Sequence, residues 1–100
     1  MADFQIFDSS YDNLTRAMNI ATKRDAVIAH NIANANTPDY VSMDFDEVLD
    51  KAVRRSDGKA PVIEEEIAAL TENTLKYSAY VKLLSSKINV LKAIVTQGRK

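Results

Sequence analysis

The chain has 100 residues, 46% hydrophobic and 27% charged, with no cysteine, one histidine and a formal net charge of −1, which fits one small domain. Disulfides, thiolate zinc sites and cysteine nucleophiles are excluded together, and one histidine leaves a transition-metal site short of its commonest ligand. Two glycines and two prolines give few turning points, which favours long helices over a many-stranded sheet.

Charge is divided unevenly. Residues 1–50 carry three bases against nine acids, a net of −6, while residues 51–100 carry ten bases against five acids, a net of +5. Halves of opposite sign attract, within one chain or between neighbouring chains. The alternative is two solvated faces that merely differ. The start of the chain has no basic stretch leading into an apolar run, so no cleaved secretory signal is expected. No stretch approaches the ~20 apolar residues that cross a bilayer. The expectation is a soluble protein that stays in the cytoplasm or leaves by a route that reads no cleaved signal.

The first predicted element is a helix over about 9–35, with Asp8, Ser9 or Ser10 as N-cap. Its apolar stripe is Tyr11, Leu14, Met18, Ala21, Ile28, Ile32 and Ala35, in steps of three and four. Asp25 takes the one place in that register where an apolar residue is missing. Asn34 and Asn36 can cap the end, and Thr37-Pro38 stops the helix.

A connecting turn and short helix are expected over about 36–60. Asp44 followed by Glu47 reads as a capping box, and Phe45, Val48, Leu49, Ala52 and Val53 fall on one helical face. Ser56-Asp57-Gly58 reads as a turn.

The last element, a helix over about 61–97, is the strongest pattern. Ile63, Ile67, Leu70, Thr74, Tyr77, Val81, Leu84, Ile88, Leu91 and Val95 repeat in steps of four and three, and only Thr74 is not apolar. Glu64, Glu65 and Glu66 at its start and the later lysines complement the helix dipole. A helix of that length would run about 55 Å, too long for a globule whose radius of gyration is ~13 Å. It must pair along its length with the first helix or pack on other chains. Tyr80, Leu83, Val90 and Ile94 widen the apolar band, which reads as a surface for more than one neighbour. A wide but ordinary core face is the competing reading. The fold class expected is all-α: an elongated antiparallel hairpin or coiled coil of two long terminal helices, as a single domain over 1–100.

No catalytic, cofactor-binding or metal-binding residue is expected. Two isolated glycines cannot form a phosphate loop. His30 lacks a neighbouring nucleophile, and the dispersed lysines with an acidic N-terminal half make nucleic acid an unsuitable partner.

The stretch Asn31-Ile32-Ala33-Asn34-Ala35-Asn36-Thr37-Pro38-Asp39-Tyr40 resembles the N-terminal signature of the bacterial flagellar rod, hook and hook-junction proteins. Phe45, Asp46, Glu47 and Leu49, then Glu66-Ile67, Glu72-Asn73, Tyr77, Leu84, Ala93-Ile94 and Gly98-Arg99, are similar to proximal rod members of that family. Asp39 stands where the family usually has glycine. The central segment is short for the family, its usual extra loop trimmed to about 57–61.

The resemblance implies a structural subunit, not an enzyme: a component of the proximal rod of the flagellar basal body, self-assembling through its terminal helices and needed for motility. It also implies passage through the flagellar export apparatus without a cleaved signal. Assembly would follow in the periplasm with other copies, other rod subunits and the membrane-ring junction protein, and without cofactor or small-molecule substrate. The motif residues would be Asn31, Asn34, Asn36, Thr37, Pro38 and Tyr40. The assembly seam would be Leu14, Met18, Ile28 and Ile32 with Ile67, Leu70, Tyr77, Val81, Leu84, Ile88, Leu91 and Val95. A cytoplasmic helical-hairpin adaptor or flagellar export chaperone is the alternative.

Overall fold

The computed structural model describes residues 2–98, and side chains from Ser9 onward. Arg99, part of the family resemblance, lies outside the described residues. The elements in order are α1 (Ala2–Ala33), β1 (Met43–Asp46), β2 (Lys51–Arg54) and α2 (Ile63–Gly98). Two helices of 32 and 36 residues lie antiparallel along each other, and a small hairpin rests on α1 near its C-terminal half. The molecule measures 66 × 24 × 15 Å with a radius of gyration of 18.6 Å, against ~13 Å for a compact chain of this length. The elongated helix pair anticipated from helix length is therefore present.

The fold is not strictly all-α. In place of the short helix expected within 36–60, β1 and β2 pair antiparallel, with Met43 opposite Arg54 and Asp46 opposite Lys51. Short apolar runs fit helical and strand spacing equally well. Two long-range contacts favour the strand here. The Asn31 amide bonds the main chain of Met43, and the Arg55 N–H donates to Ser42 O at 2.8 Å, extending the ladder. Asp44 does not cap a helix. It is Asp46 whose Oδ1 accepts the N–H groups of Val48 and Leu49, both at 2.9 Å, and shapes the loop. The turn at Ser56-Asp57-Gly58 is as expected, with Gly58 at φ 67.

α1 begins at Ala2, not at Ser9, so the expected N-caps Asp8, Ser9 and Ser10 lie inside it. Tertiary pairing overrides the capping pattern. Asn73 contacts Ala21, and Asn31 contacts Glu66. That register sets the first turns of α1 beside the last turns of α2, so a later start would leave those turns without a partner.

The interior is unusual. Among the described residues, Ala21 and Pro61 are the only buried apolar residues, whereas Asn31, Ser42, Glu66 and Asn73 are buried and polar. The accessible surface is 7438 Å², about a third more than the ~5,700 Å² expected of a globular chain of this mass.

Candidate functional site

The motif segment forms a polar clasp between the end of α1, the hairpin and the start of α2. Asn31, in the last turn of α1, is fully buried. Its Oδ1 accepts the Met43 N–H at 2.9 Å, and its Nδ2 donates to Met43 O at 2.9 Å. One side-chain amide thus satisfies both main-chain groups of a strand residue, as a neighbouring strand would. The Tyr40 hydroxyl also donates to Asn31 Oδ1 at 3.0 Å, and Nδ2 reaches Glu66 Oε1 at 3.3 Å. With its proton on Asn31, the Tyr40 oxygen is left to accept from His30 Nδ1 at 2.8 Å.

The helix end follows from local chemistry. Asn34 Nδ2 donates to His30 O at 2.9 Å, a carbonyl that also accepts the Asn34 main-chain N–H at 3.1 Å. Asn34 Oδ1 accepts the Thr37 hydroxyl at 3.1 Å. The Tyr40 N–H donates to Thr37 O at 3.3 Å across Pro38-Asp39. Proline at the second position and Asp39 at φ 64 in the third is the arrangement of a type II turn. Aspartate here takes the left-handed conformation that it tolerates better than most non-glycine residues. Asn36, Thr37 and Pro38 are exposed.

Glu66 is only 2% exposed, although its place in the sequence makes it one of three glutamates that complement the helix dipole. Its Oε1 accepts from Arg55 Nη2 at 3.1 Å, while Arg55 Nε donates to Asp44 Oδ1 at 2.9 Å. Arg55 therefore ties the hairpin to the start of α2. Burial works against the Arg55 charge, but the hydrogen bonds to Asp44 and Glu66 outweigh it and raise its pKa above the ordinary arginine value. Burial, then the nearby Glu66 carboxylate, raises the Tyr40 phenol, against the opposing pull of Arg55.

A second polar contact sets the register of the helices. Asn73, buried in α2, donates to Ala21 O and to Asp25 Oδ1, both at 2.7 Å. Asp25 is the visible gap in the α1 stripe. On α2 the break in the repeat points one residue away, to Thr74.

The contact row of α2 on α1 is rotated from the apolar repeat. Glu66, Leu70, Asn73, Tyr80 and Leu84 are buried or half-buried, whereas Ile67, Tyr77, Val81, Ile88, Leu91 and Val95 stay exposed. On α1, Leu14, Met18, Ile28 and Ile32 are half-buried. At 3.6 residues per turn, Ile67 lies roughly 100°, Val81 roughly 60°, Ile88 roughly 40° and Val95 roughly 20° to one side of the row facing α1. Leu83, Val90 and Ile94 lie roughly 80–120° to the other side, and all three are about half exposed. α2 thus carries one face for its own α1 and two apolar flanks beside it. Such extended apolar surface marks a protein interaction site.

Comparison with known proteins agrees with the motif. Residues 12–40, from the first third of α1 through the Asn-rich turn, match the family described as flagella basal body rod protein. The chain is similar to the flagellar basal body rod protein FlgB of Bacillus subtilis (strain 168), at 24% identity over 127 aligned positions that cover 94% of this chain and 98% of that protein. The alignment is longer than this chain, so the relative carries residues with no counterpart here.

Proposed function

Taking the chain as a flagellar basal-body rod protein of the FlgB type, we propose that it is a structural subunit of the proximal rod that assembles through the free faces of its two long helices. The observation that carries this reading is the mismatch between composition and burial. A chain that is 46% hydrophobic buries two apolar residues and four polar ones among those described. The missing apolar burial has to come from neighbours, because packing of an amphipathic face supplies most of a helix's stability.

Two flanks on α2 allow two neighbours besides α1, as a tubular array of paired helices requires. The predicted seam residues Tyr77, Val81, Ile88 and Val95 are then intermolecular contacts. The clasp at Asn31 to Tyr40 fixes where the chain leaves α1 and how the hairpin sits, so that every subunit presents the same surface. Delivery is through the flagellar export apparatus, and assembly is in the periplasm against the membrane-ring junction protein and other rod subunits. Loss of the chain would then abolish motility.

Fractionation tests the reading. Basal bodies extracted with detergent should retain the protein in stoichiometric amount. Recovery only in the soluble cytoplasmic fraction would overturn it and favour an adaptor or export chaperone.

A further inference from the structure

We propose that His30 is a positioning residue of the clasp: held as its Nδ1–H tautomer, it fixes the direction of the Tyr40 hydroxyl proton and completes the hydrogen-bond set that seats the hairpin through Asn31. The proposal rests on the geometry of the clasp within one chain and not on the reading of the chain as an assembling subunit.

The direction of every proton follows from one peptide residue. The Met43 N–H can only donate and the Met43 carbonyl can only accept, so Asn31 must turn Oδ1 to the first and Nδ2 to the second, each at 2.9 Å. The Glu66 carboxylate, paired with Arg55 and 3.3 Å from Nδ2, requires the same orientation. Tyr40 meets the oxygen of that amide at 3.0 Å. An amide oxygen cannot donate, so the hydroxyl must. Its single proton is then used, and the Tyr40 oxygen is an acceptor toward His30 Nδ1, 2.8 Å away. That nitrogen must carry hydrogen, which in a neutral ring leaves Nε2 as the bare acceptor.

The opposite assignment fails at Asn31. With the Tyr40 proton turned to His30, the oxygens of Tyr40 and Asn31 would face each other at 3.0 Å with no hydrogen between them. The one gain would be a second bond from Asn34 Nδ2, which lies 3.4 Å from His30 Nδ1 and already donates to His30 O at 2.9 Å. Two facing acceptors oppose that arrangement more than a bond of such length supports it. Turning the ring over would set a carbon against the Tyr40 oxygen.

His30 is exposed, so it is not held as a core side chain. Its ring borders an open apolar hollow with Ala26, Val27, Met43 and Ala52, and stands 5.7 Å from the Tyr40 ring at a tilt of 42°. From there an exposed side chain acts on a buried one: His30 donates to Tyr40, Tyr40 donates to Asn31, and Asn31 holds Met43. Hydrogen bonds linked in one direction strengthen one another.

The chain has a single histidine, so nitrogen NMR of the full chain with isotope-labelled histidine reads the tautomer without ambiguity. With the ring neutral, the proton should sit on Nδ1, although histidine in water favours Nε2–H. Tyr40→Phe removes the acceptor and should return the ring to the Nε2–H form. A proton on Nε2 in the unchanged chain, or a tautomer that Tyr40→Phe leaves as it was, overturns the proposal. The first of these measurements needs no substitution and stands whatever a variant does to folding. His30→Asn sets a side-chain N–H where Nδ1–H stood, and His30→Gln does not. Exchange of the Met43 N–H should be about three- to tenfold faster in His30→Gln than in the unchanged chain, and within about twofold of it in His30→Asn. Unaltered exchange in His30→Gln, or exchange in His30→Asn as fast as in His30→Gln, overturns the positioning role.

Discussion

Asn31 and Met43, twelve positions apart in sequence, are joined by two hydrogen bonds of 2.9 Å that pair one side-chain amide with both the N–H and the C=O of one residue. No other side chain of that length carries both a donor and an acceptor in this geometry except asparagine. Alanine at position 31 would strand the Met43 N–H and take one partner each from the Met43 carbonyl, the Tyr40 hydroxyl and the Glu66 carboxylate. An unsatisfied buried polar group costs about 1–3 kcal/mol, so Asn31→Ala should destabilise the chain by roughly 2–4 kcal/mol. Chemical denaturation followed by circular dichroism measures this. Asn31→Asp should do no better, since it removes the donor and sets a second carboxylate beside Glu66.

Alkaline pH should loosen the clasp at Tyr40. Its phenol is raised above the ordinary value of 10.0 by burial and by Glu66. The folded state therefore holds the proton to higher pH than the unfolded one. The stabilisation is fully present below the unfolded pKa, near ~10, and is lost as pH rises through the higher folded value. A phenolate at Tyr40 could no longer donate to Asn31. Stability measured from pH 9 upward should fall more steeply in the unchanged chain than in Tyr40→Phe, which lacks that ionisation. Parallel slopes would contradict the assignment.

Asp39 tests the cost of the turn. A non-glycine residue in the left-handed region is disfavoured by about 1–2 kcal/mol, though aspartate is among the more tolerant, and glycine gains unfolded-state entropy in return. Asp39 has φ 64 and an exposed side chain. Asp39→Gly should therefore be neutral or stabilising, by up to about 1 kcal/mol, whereas Asp39→Val should destabilise more than Asp39→Ala. Thermal midpoints of the three variants give the order.

The two long helices are legible in the sequence because a period of three and four residues, sustained over many turns, matches the helical repeat and no strand. Their ends are less so: Asp8, Ser9 and Ser10 are good caps, but the antiparallel register extends α1 past them. The hairpin is hidden because Phe45, Val48, Leu49, Ala52 and Val53 satisfy a helical face, and what selects strands is the distant amide of Asn31. In the clasp, Asn31, Asn34 and Tyr40 are visible through the motif. Glu66 is not: it follows two exposed glutamates that look identical in sequence, and its partner Arg55 lies across a hairpin that periodicity does not reveal. Asp25 stands out as a break in a stripe, but its partner Asn73 sits beside the residue that breaks the repeat on α2. Periodicity reports which faces are apolar. It does not report which of several faces the chain's own helix will cover, and here α1 covers the more polar one.

Deletion of the gene, with complementation by the unchanged chain and by Ile88→Glu, tests the central claim most directly. Ile88 is exposed in the single chain, so the charge acts at the assembly flank and not on the clasp. Cells lacking the gene should be non-motile, with membrane rings but no rods by electron microscopy. The unchanged chain should restore rods and swimming, and Ile88→Glu should be made and exported yet leave rods absent. Complete rods and normal swimming in the deletion strain would contradict the account.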